Sequence, residues 1–427
     1  MQPTSCQDTR TYRHIELQKE LFPRETECMD DQPKDTPADD IYKSPVLSLH
    51  DLTVISPQQQ GPSNLSSNFF NPLEFSPLRT HAPHLSLQTI HGIYQFVQLY
   101  NMIYSDEVAK LGSNLLVRRT NSLERSLVFT KDRHVIVLLN RTNNPNEQER
   151  DKLLGKGSYK IVTLAVDLAG TPYASASFKE SATEDELDNY TRFSHIQGFI
   201  QCNYVVTYSR SEKELKKFRH PEFNEIKTRV FLEYCDAGNL STAIRERSLS
   251  LKDKKNIFTQ VLITLSELHE NECCVHRDVK PGNILLKKSP TGEIIPKIAD
   301  LDTICDEDDE MELVRPCSTI TYSSPEFAKA YLADDFTLQD KVKQNNDVWG
   351  FGCTMFKLLE MGTLPWGKHD SKTKILDRLS TAQKRWFGEP NPNTPEHLVW
   401  QALTINEYKR PSLAKLAAQL PQVTWPT

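Results

Sequence analysis

One short segment constrains the fold and chemistry of this chain more than any other. The segment His276-Arg277-Asp278-Val279-Lys280-Pro281-Gly282-Asn283 carries a carboxylate, an amine and an amide in close succession, and Ile284-Leu285-Leu286 follows it. Such an apolar run predicts a buried strand that anchors the polar loop. Phosphoryl transfer needs a carboxylate that orients a hydroxyl, a nearby cation and an amide oxygen for a metal. The segment therefore indicates a phosphoryl-transfer site.

A second acidic motif follows, in Lys297-Ile298-Ala299-Asp300-Leu301-Asp302. Its first aspartate leaves an apolar strand. A carboxylate in that place can chelate a magnesium ion that bridges phosphates. We therefore expect Asp300 to bind metal together with Asn283.

Two motifs upstream suit a nucleotide. In Leu154-Gly155-Lys156-Gly157-Ser158-Tyr159-Lys160-Ile161-Val162, two glycines precede a β-branched run, which predicts a hairpin whose backbone N–H groups approach phosphate oxygens. The third glycine of the usual Gly-x-Gly-x-x-Gly loop is replaced by Lys160. Lys179, at the end of the strand-like run Ala176-Ser177-Phe178-Lys179, can pair with the α- and β-phosphates if a helix carboxylate holds it.

The periodicity of the chain predicts its organisation. Strand-like segments dominate residues 151–233 and helical patterns dominate residues 240–420, which predicts an α+β protein with two lobes. We expect the folded domain to span residues 147–421, with an N-lobe at about 147–233 and a C-lobe at about 239–421.

The N-terminal third has a different character. Residues 1–85 hold 10 of the 25 prolines, and we expect them to be largely disordered, with docking peptides or a linker as the two alternative roles. Residues 86–146 combine apolar residues at helical spacing with two strand-like runs around a polar turn. They predict a small helix-plus-hairpin extension, whose role is structural or ligand-binding.

Composition narrows the class of partner and compartment. A net charge of -6 and a pI near 6.1 give no global reason to expect nucleic acid as a partner. No run of residues is long and apolar enough for a transmembrane helix, and residues 1–10 lack the apolar core of a signal peptide. Nine scattered cysteines indicate reduced thiols, so we expect a cytoplasmic protein.

Taken in order, these motifs resemble the eukaryotic-type Ser/Thr protein kinase family over residues 151–420. The resemblance implies a bilobal fold and transfer of the γ-phosphate of ATP to protein hydroxyls, with Mg²⁺ as cofactor. It implies that Asp278 orients the substrate hydroxyl, that Lys280 lies near the γ-phosphate, and that Asn283 and Asp300 bind Mg²⁺.

The resemblance also implies a nucleotide site and an interlobe hinge. The hinge segment is 231–240, where the backbone of two residues would contact adenine, Leu232 would be the gatekeeper and another residue would lie near the ribose. The implied nucleotide-binding residues are Gly155, Lys156, Gly157, Ser158, Val162, Lys179, Glu233, Cys235, Asn239 and Leu285.

Further landmarks of the family indicate the substrate class and the scaffold. A lysine at position 280 and Thr319 are typical of the Ser/Thr class, so we expect protein substrates with serine or threonine acceptors. Structural positions of the family match at Glu326, its partner Arg410, and the buried helix start at Asp347.

The sequence departs from the family pattern around the nucleotide. Asp302 stands where glycine is usual, and it would reach the conformations open to glycine only at a cost. Glu184 and Glu186 are candidate partners for Lys179, with Glu186 favoured, although the apolar register points nearer Asn189. The glycine loop also resembles that of the with-no-lysine kinases, in which a loop lysine contacts phosphate, so Lys160 ranks second to Lys179.

Three interpretations of function remain at this point. The first is an active kinase, in which the acidic run 306–312 either partly substitutes for a phosphate facing Arg277 or is a solvated loop. The second is a pseudokinase scaffold that binds nucleotide or partner proteins without turnover. The third places the main function in residues 1–145, which would dock partners while the kinase regulates them.

Overall fold

The computed structural model describes residues 115–118, 126–129, 135–138, 153–157, 160–167, 171–178, 184–208, 227–308, 319–333, 343–367 and 371–426. The helix expected within residues 86–104 lies outside these ranges, as do residues 1–85. The strand-rich first half and helix-rich second half that the periodicity predicts are both present in the described residues. The prediction of a two-lobed α+β fold is thereby confirmed.

In the described residues, an eight-stranded sheet forms the N-terminal half. Its strands follow the order β1-β2-β3-β5-β6-β8-β7, and β4 pairs with β5 beside β3. Neighbouring strands are antiparallel throughout. The strands are β1 (Leu115–Arg118), β2 (Ser126–Phe129), β3 (Val135–Leu138), β4 (Leu153–Lys156), β5 (Lys160–Asp167), β6 (Pro172–Phe178), β7 (Cys202–Tyr208) and β8 (Lys227–Glu233).

The strands before residue 147 extend this sheet. β2 and β3 pair across the expected polar turn, and β3 pairs with the second half of β5 through Ile136 and Leu138. A small apolar cluster joins the two parts, because Ile136 and Leu138 pack with Tyr173, Val206 and other residues of the sheet. The extension is therefore a continuation of the sheet that carries the glycine loop.

Within the described ranges, one helix packs on the sheet and the others build the second half. The helices are α1 (Glu184–Arg192), α2 (Leu240–Glu246), α3 (Leu251–Glu270), α4 (Pro325–Ala333), α5 (Lys343–Leu358), α6 (Lys372–Ser380), α7 (Pro395–Ala402) and α8 (Leu413–Ala417). Among the described residues, no helix combines the length and apolar character needed to cross a membrane.

Helix α3 shows why the sequence folds locally as it does. Ser250 and Asp253 form a reciprocal capping box at its start, which satisfies N–H groups that the first turn leaves without partners. Its apolar residues recur at helical spacing, and Ile257, Val261 and Leu265 are all buried in the main core. Burying a side chain of this size contributes about 1.5–3 kcal/mol.

Two short antiparallel strand pairs present the polar loops. β10 (Ile284–Lys288) pairs with β11 (Ile294–Ile298), so the segments before the first strand and after the second meet at one end. β9 (Cys274–Val275) pairs with β12 (Cys305–Asp306) and brings the same two segments together on their other side. The buried strand expected after Asn283 is β10, and it anchors the loop as predicted.

Gly350 allows helix α5 to approach the catalytic loop closely. A Cβ atom at this position would lie 2.8 Å from the carbonyl oxygen of Val279 and 3.1 Å from its Cβ. We expect Gly350→Ala to lower the free energy of unfolding by about 1–3 kcal/mol through overpacking, although alanine is otherwise the better helix former by about 1 kcal/mol.

Urea unfolding measures this change, with Gly388→Ala as control because a Cβ at Gly388 would meet nothing within 4 Å. Equal stability of the two variants would contradict the steric argument.

Candidate active site

The polar loop brings its carboxylate, amine and amide together as the sequence predicts. The Asp278 Oδ2 atom accepts hydrogen bonds from Lys280 Nζ at 2.5 Å and from Asn283 Nδ2 at 3.1 Å. The Oδ1 atom accepts from the backbone N–H and hydroxyl of Thr319, at 3.1 Å and 2.9 Å. Lys280 Nζ also donates to Thr319 Oγ1 at 2.8 Å. Asp278 is buried, and the hydroxyl that its carboxylate accepts is that of Thr319.

Asp347, a buried aspartate of α5, holds the backbone at the start of the polar loop. Asp347 accepts the backbone N–H groups of His276 and Arg277 at 2.6 Å and 2.8 Å, and the Nε2 atom of His269 at 3.0 Å. Burial alone would raise the pKa of Asp347, but the hydrogen bonds and charge of His269 and His276 outweigh it, so the pKa lies below its usual value. The sequence placed Asp347 at a buried helix start but did not indicate these contacts.

The expected metal ligands lie next to each other. Ala299 N donates to the carbonyl oxygen of Asn283 at 2.8 Å, and this bond sets Asp300 beside the catalytic loop. Because the Asn283 amide nitrogen donates to Asp278, the amide oxygen is the atom that Asn283 can offer to a metal. Carboxylate and amide oxygens are the ligands that Mg²⁺ prefers, so the two residues fit the ion.

Lys160 is the unexpected centre of the nucleotide side. Its ammonium group forms an ion pair with Asp300 Oδ1 at 2.6 Å, contacts Asp302 Oδ1 and donates to the Tyr190 hydroxyl at 3.1 Å. Burial lowers the pKa of Lys160, but Tyr190, Asp300 and Asp302 together raise it well above its usual value. Burial likewise opposes ionisation of Asp300, yet Lys160 brings the pKa of this carboxyl below its usual range. Both groups are therefore charged near neutral pH.

Helix α1 contacts residues 301–304, which follow β11, through two polar side chains that had no predicted role. Asn189 Nδ2 donates to the carbonyl oxygens of Leu301 and Ile304, at 3.2 Å and 2.8 Å. The Tyr190 hydroxyl donates to Asp302 Oδ1 at 2.5 Å. The spacing of apolar residues indicated that position 189 faces the interior. Asn189 and Tyr190 are both buried, so this face of the helix carries an amide and a phenol.

The carboxylate expected to hold Lys179 stays a prediction. Lys179 lies outside the described residues, so its pairing with Glu186 or Glu184 has no structural test. Glu186 lies on α1 and is half-buried.

Backbone strain falls on a different residue from the one expected. Asp302 lies in a 3₁₀ turn, Leu301–Thr303, whereas Asp300 has the left-handed conformation with φ 66° and ψ 47°. Among the described residues with positive φ other than glycine, Asp300 and Arg277 belong to the site and Asp302 is absent. The expectation of a conformational cost at Asp302 is therefore wrong.

The glycine loop leaves room above the site. A Cβ atom at Gly155 would meet nothing within 4 Å, and one at Gly157 would meet only the Lys160 carbonyl oxygen at 3.7 Å. Internal packing therefore does not require these glycines, and their bare backbone suits a phosphate chain. Lys156 lies at the end of β4 and is exposed, and Val162 lies on β5 against the core. Ser158 lies outside the described residues.

The expected hinge follows β8. The Glu233 carboxylate contacts Lys287 at 2.7 Å and Lys297 at 3.3 Å, which fixes the end of the strand. Burial raises the pKa of the half-buried Cys235 thiol to about 12, so it is a neutral thiol. Asn239 bridges to Leu285, and its Oδ1 caps α2 through Thr242 N at 2.9 Å. The adenine and ribose contacts of this segment stay predictions.

The described part of the acidic run has partners of its own. Asp306 forms an ion pair with Arg192 at 2.8 Å, and Glu307 accepts from Gln344 at 2.9 Å. Arg277 donates through Nε to the carbonyl oxygen of Thr303 at 2.5 Å. Residues 309–312 lie outside the described ranges, so the phosphate-substitute hypothesis has no structural test there.

The ion pair expected between Glu326 and Arg410 is present and buried. Arg410 reaches both carboxylate oxygens of Glu326, at 2.5 Å and 3.0 Å. This two-point contact ties the start of α4 to the segment before α8.

With this geometry in view, comparison with known proteins establishes the class. A family model described as a protein kinase domain matches residues 148–425. The match covers more than half of the chain, and the chain therefore belongs to the protein kinase family.

Individual relatives are distant. The chain is similar to mouse serine/threonine-protein kinase Nek5, at 24% identity over 62% of this chain and 39% of the relative. It is similar to human NUAK family SNF1-like kinase 2, at 28% identity over 62% of this chain and 38% of the relative. It is also similar to serine/threonine-protein kinase chk-1 of Caenorhabditis elegans, at 26% identity over 59% of this chain and 45% of the relative. The chain thus matches less than half the length of each of these relatives.

Asp347→Asn should destabilise the molecule, because an amide cannot accept from all three of the donors that surround Asp347. We expect a loss of about 3 kcal/mol in the free energy of unfolding at neutral pH. The lowered pKa adds stability that is present above the unfolded value of about 4 and disappears as the pH falls through the folded value. The variant should therefore lose less stability than the wild type on acidification below about pH 4.

Urea unfolding at a series of pH values checks both effects. Asp377→Asn, at an exposed position of α6, serves as the control. An Asp347→Asn variant as stable as this control would refute the role of Asp347.

Proposed function

We propose that this chain is an active ATP-dependent kinase that phosphorylates serine and threonine hydroxyls of protein substrates. The arrangement of Asp278, Lys280 and Thr319 is the observation that carries the proposal. The Asp278 carboxylate accepts a hydroxyl hydrogen bond at 2.9 Å while the Lys280 amine lies 2.5 Å from its other oxygen. A carboxylate and a cation on one hydroxyl are what transfer to an alcohol requires.

These residues support a direct transfer. Asp278 orients the substrate hydroxyl and takes its proton as the oxygen forms a bond to the γ-phosphorus. The bond from that phosphorus to the bridging oxygen breaks, and ADP leaves with the electron pair. Lys280 balances the negative charge spread over the transferring group. Asn283 and Asp300 would hold a magnesium ion, which would supply positive charge against the negative charge that develops on the phosphates.

We assign the cation that faces the α- and β-phosphates to Lys160. Lys179 was the first candidate from the sequence, but the ion pair of Lys160 with Asp300 favours Lys160, since it sets an ammonium group beside the expected metal ligand. A Cβ atom at Gly155 would meet nothing within 4 Å, so the backbone of the loop is open to the approach of a phosphate chain.

The pseudokinase alternative makes the opposite prediction for turnover. Wild-type protein incubated with radiolabelled ATP, Mg²⁺ and a generic basic protein should transfer label to serine and threonine. Asp278→Asn should lower turnover by about 10³-fold or more, because the carboxylate that orients the hydroxyl becomes a neutral amide.

Asp377→Asn, the same substitution at an exposed site, should match the wild type. Equal signal from wild type and Asp278→Asn would remove the enzyme proposal and leave the scaffold.

A further inference from the structure

Asp302 lies beside the ion pair between Lys160 and Asp300. Lys160 pairs with Asp300, which is also the expected metal ligand, and a metal ion there would repel the ammonium group. A lysine with Asp300 as its sole anchor would compete with the metal for the same carboxylate. A second anchor would remove this competition.

Asp302 and Tyr190 have the geometry of that anchor. The Oδ1 atom of Asp302 contacts Lys160 Nζ and accepts the Tyr190 hydroxyl at 2.5 Å. The Tyr190 oxygen in turn accepts from Lys160 Nζ at 3.1 Å. The three groups close a triangle of hydrogen bonds. The side chain of Asp302 is 12% exposed and Tyr190 is fully buried, so water screens these contacts little.

The backbone fixes Asp302 in this place. Asp302 lies in the 3₁₀ turn that follows Asp300, and Asn189 holds the carbonyl oxygens on either side of it, at Leu301 and Ile304. Helix α1 therefore supplies both the phenol that contacts Asp302 and the amide that fixes its turn. A glycine at position 302 would provide no side chain for either contact.

We propose that Asp302, supported by Tyr190, is the positioning carboxylate that orients Lys160 toward the phosphates and leaves Asp300 free for the metal. The inference rests on the proposed role of Lys160 at the nucleotide. It assigns the role of the carboxylate that holds the phosphate-binding lysine to Asp302, in the turn after β11, in place of Glu184 or Glu186 on helix α1. Asp302 acts through Lys160 and does not itself contact the reacting atoms.

The first test compares nucleotide affinities by titration with a fluorescent ATP analogue in the presence of Mg²⁺, using the full chain. Asp302→Asn should weaken binding of the ATP analogue about tenfold, because the uncharged amide no longer holds the ammonium group. Adenosine lacks phosphates, and its affinity, measured by displacement of the analogue, should stay unchanged. Tyr190→Phe removes one hydroxyl and should give a smaller loss in the same direction.

The matched control is Asp188→Asn, an exposed position on the same helix α1. It should leave both affinities at wild-type values. Parallel loss of ATP and adenosine affinity, or unchanged or tighter ATP binding in Asp302→Asn, would overturn the proposal. The first of these outcomes would mean that Asp302 is only structural.

A double-mutant comparison tests whether Asp302 acts through Lys160. In a Lys160→Met background, Asp302→Asn should cause no further loss of ATP affinity, since the group that it orients is gone. Additive losses would contradict the proposal.

Because these arms measure binding, they decide the role of Asp302 even if the wild type shows no turnover. A wild type that binds the ATP analogue without turnover would refute the kinase proposal alone. A wild type that binds ATP no more tightly than adenosine would refute the role of Lys160, and that of Asp302 with it.

Discussion

The ammonium group of Lys160 is the point at which three parts of the molecule meet. It extends from strand β5 and contacts Asp300 and Asp302, which follow β11. It also reaches Tyr190 on α1. Burial makes the charged form of this lysine costly, and only the surrounding carboxylates and phenol compensate for that cost. The position of helix α1 relative to residues 300–302 is therefore coupled to one cation.

The catalytic loop depends on a different and complementary arrangement. Asp347 accepts two backbone N–H groups of the loop, so it fixes the main chain and leaves the side chains of Asp278 and Lys280 free for chemistry. Gly350, on the same helix, permits the close approach that these bonds require. Helix α5 thus positions the part of the site that contains Asp278, while Lys160 joins the carboxylates and the phenol on the other part.

The sequence predicted those parts of the site in which the interacting residues lie close together along the chain. The contacts among Asp278, Lys280 and Asn283 follow from one loop and the strand that anchors it. The lobes follow from periodicity, because alternation and helical spacing are local properties. The Arg410–Glu326 pair was accessible only through the family resemblance.

Contacts between distant segments could not be read in this way. Lys160 and Asp302 are separated by 142 positions, and Tyr190 and Asp302 by 112. Asp302 looked unfavourable because the local rule concerns glycine and backbone freedom. The structure instead puts the left-handed conformation at Asp300 and gives Asp302 a helical turn. The surroundings of Asp302 depend on its contacts with Lys160 and Tyr190, which are distant in sequence, so no local pattern could predict them.

The most direct test of this account compares two lysine variants side by side. Steady-state phosphoryl transfer and ATP affinity would be measured for Lys160→Met and Lys179→Met, with folding checked by thermal unfolding. The account predicts that Lys160→Met loses ATP affinity and nearly all turnover, while Lys179→Met retains most of both. A folded Lys160→Met variant with wild-type kinetics, beside an inactive Lys179→Met, would contradict it.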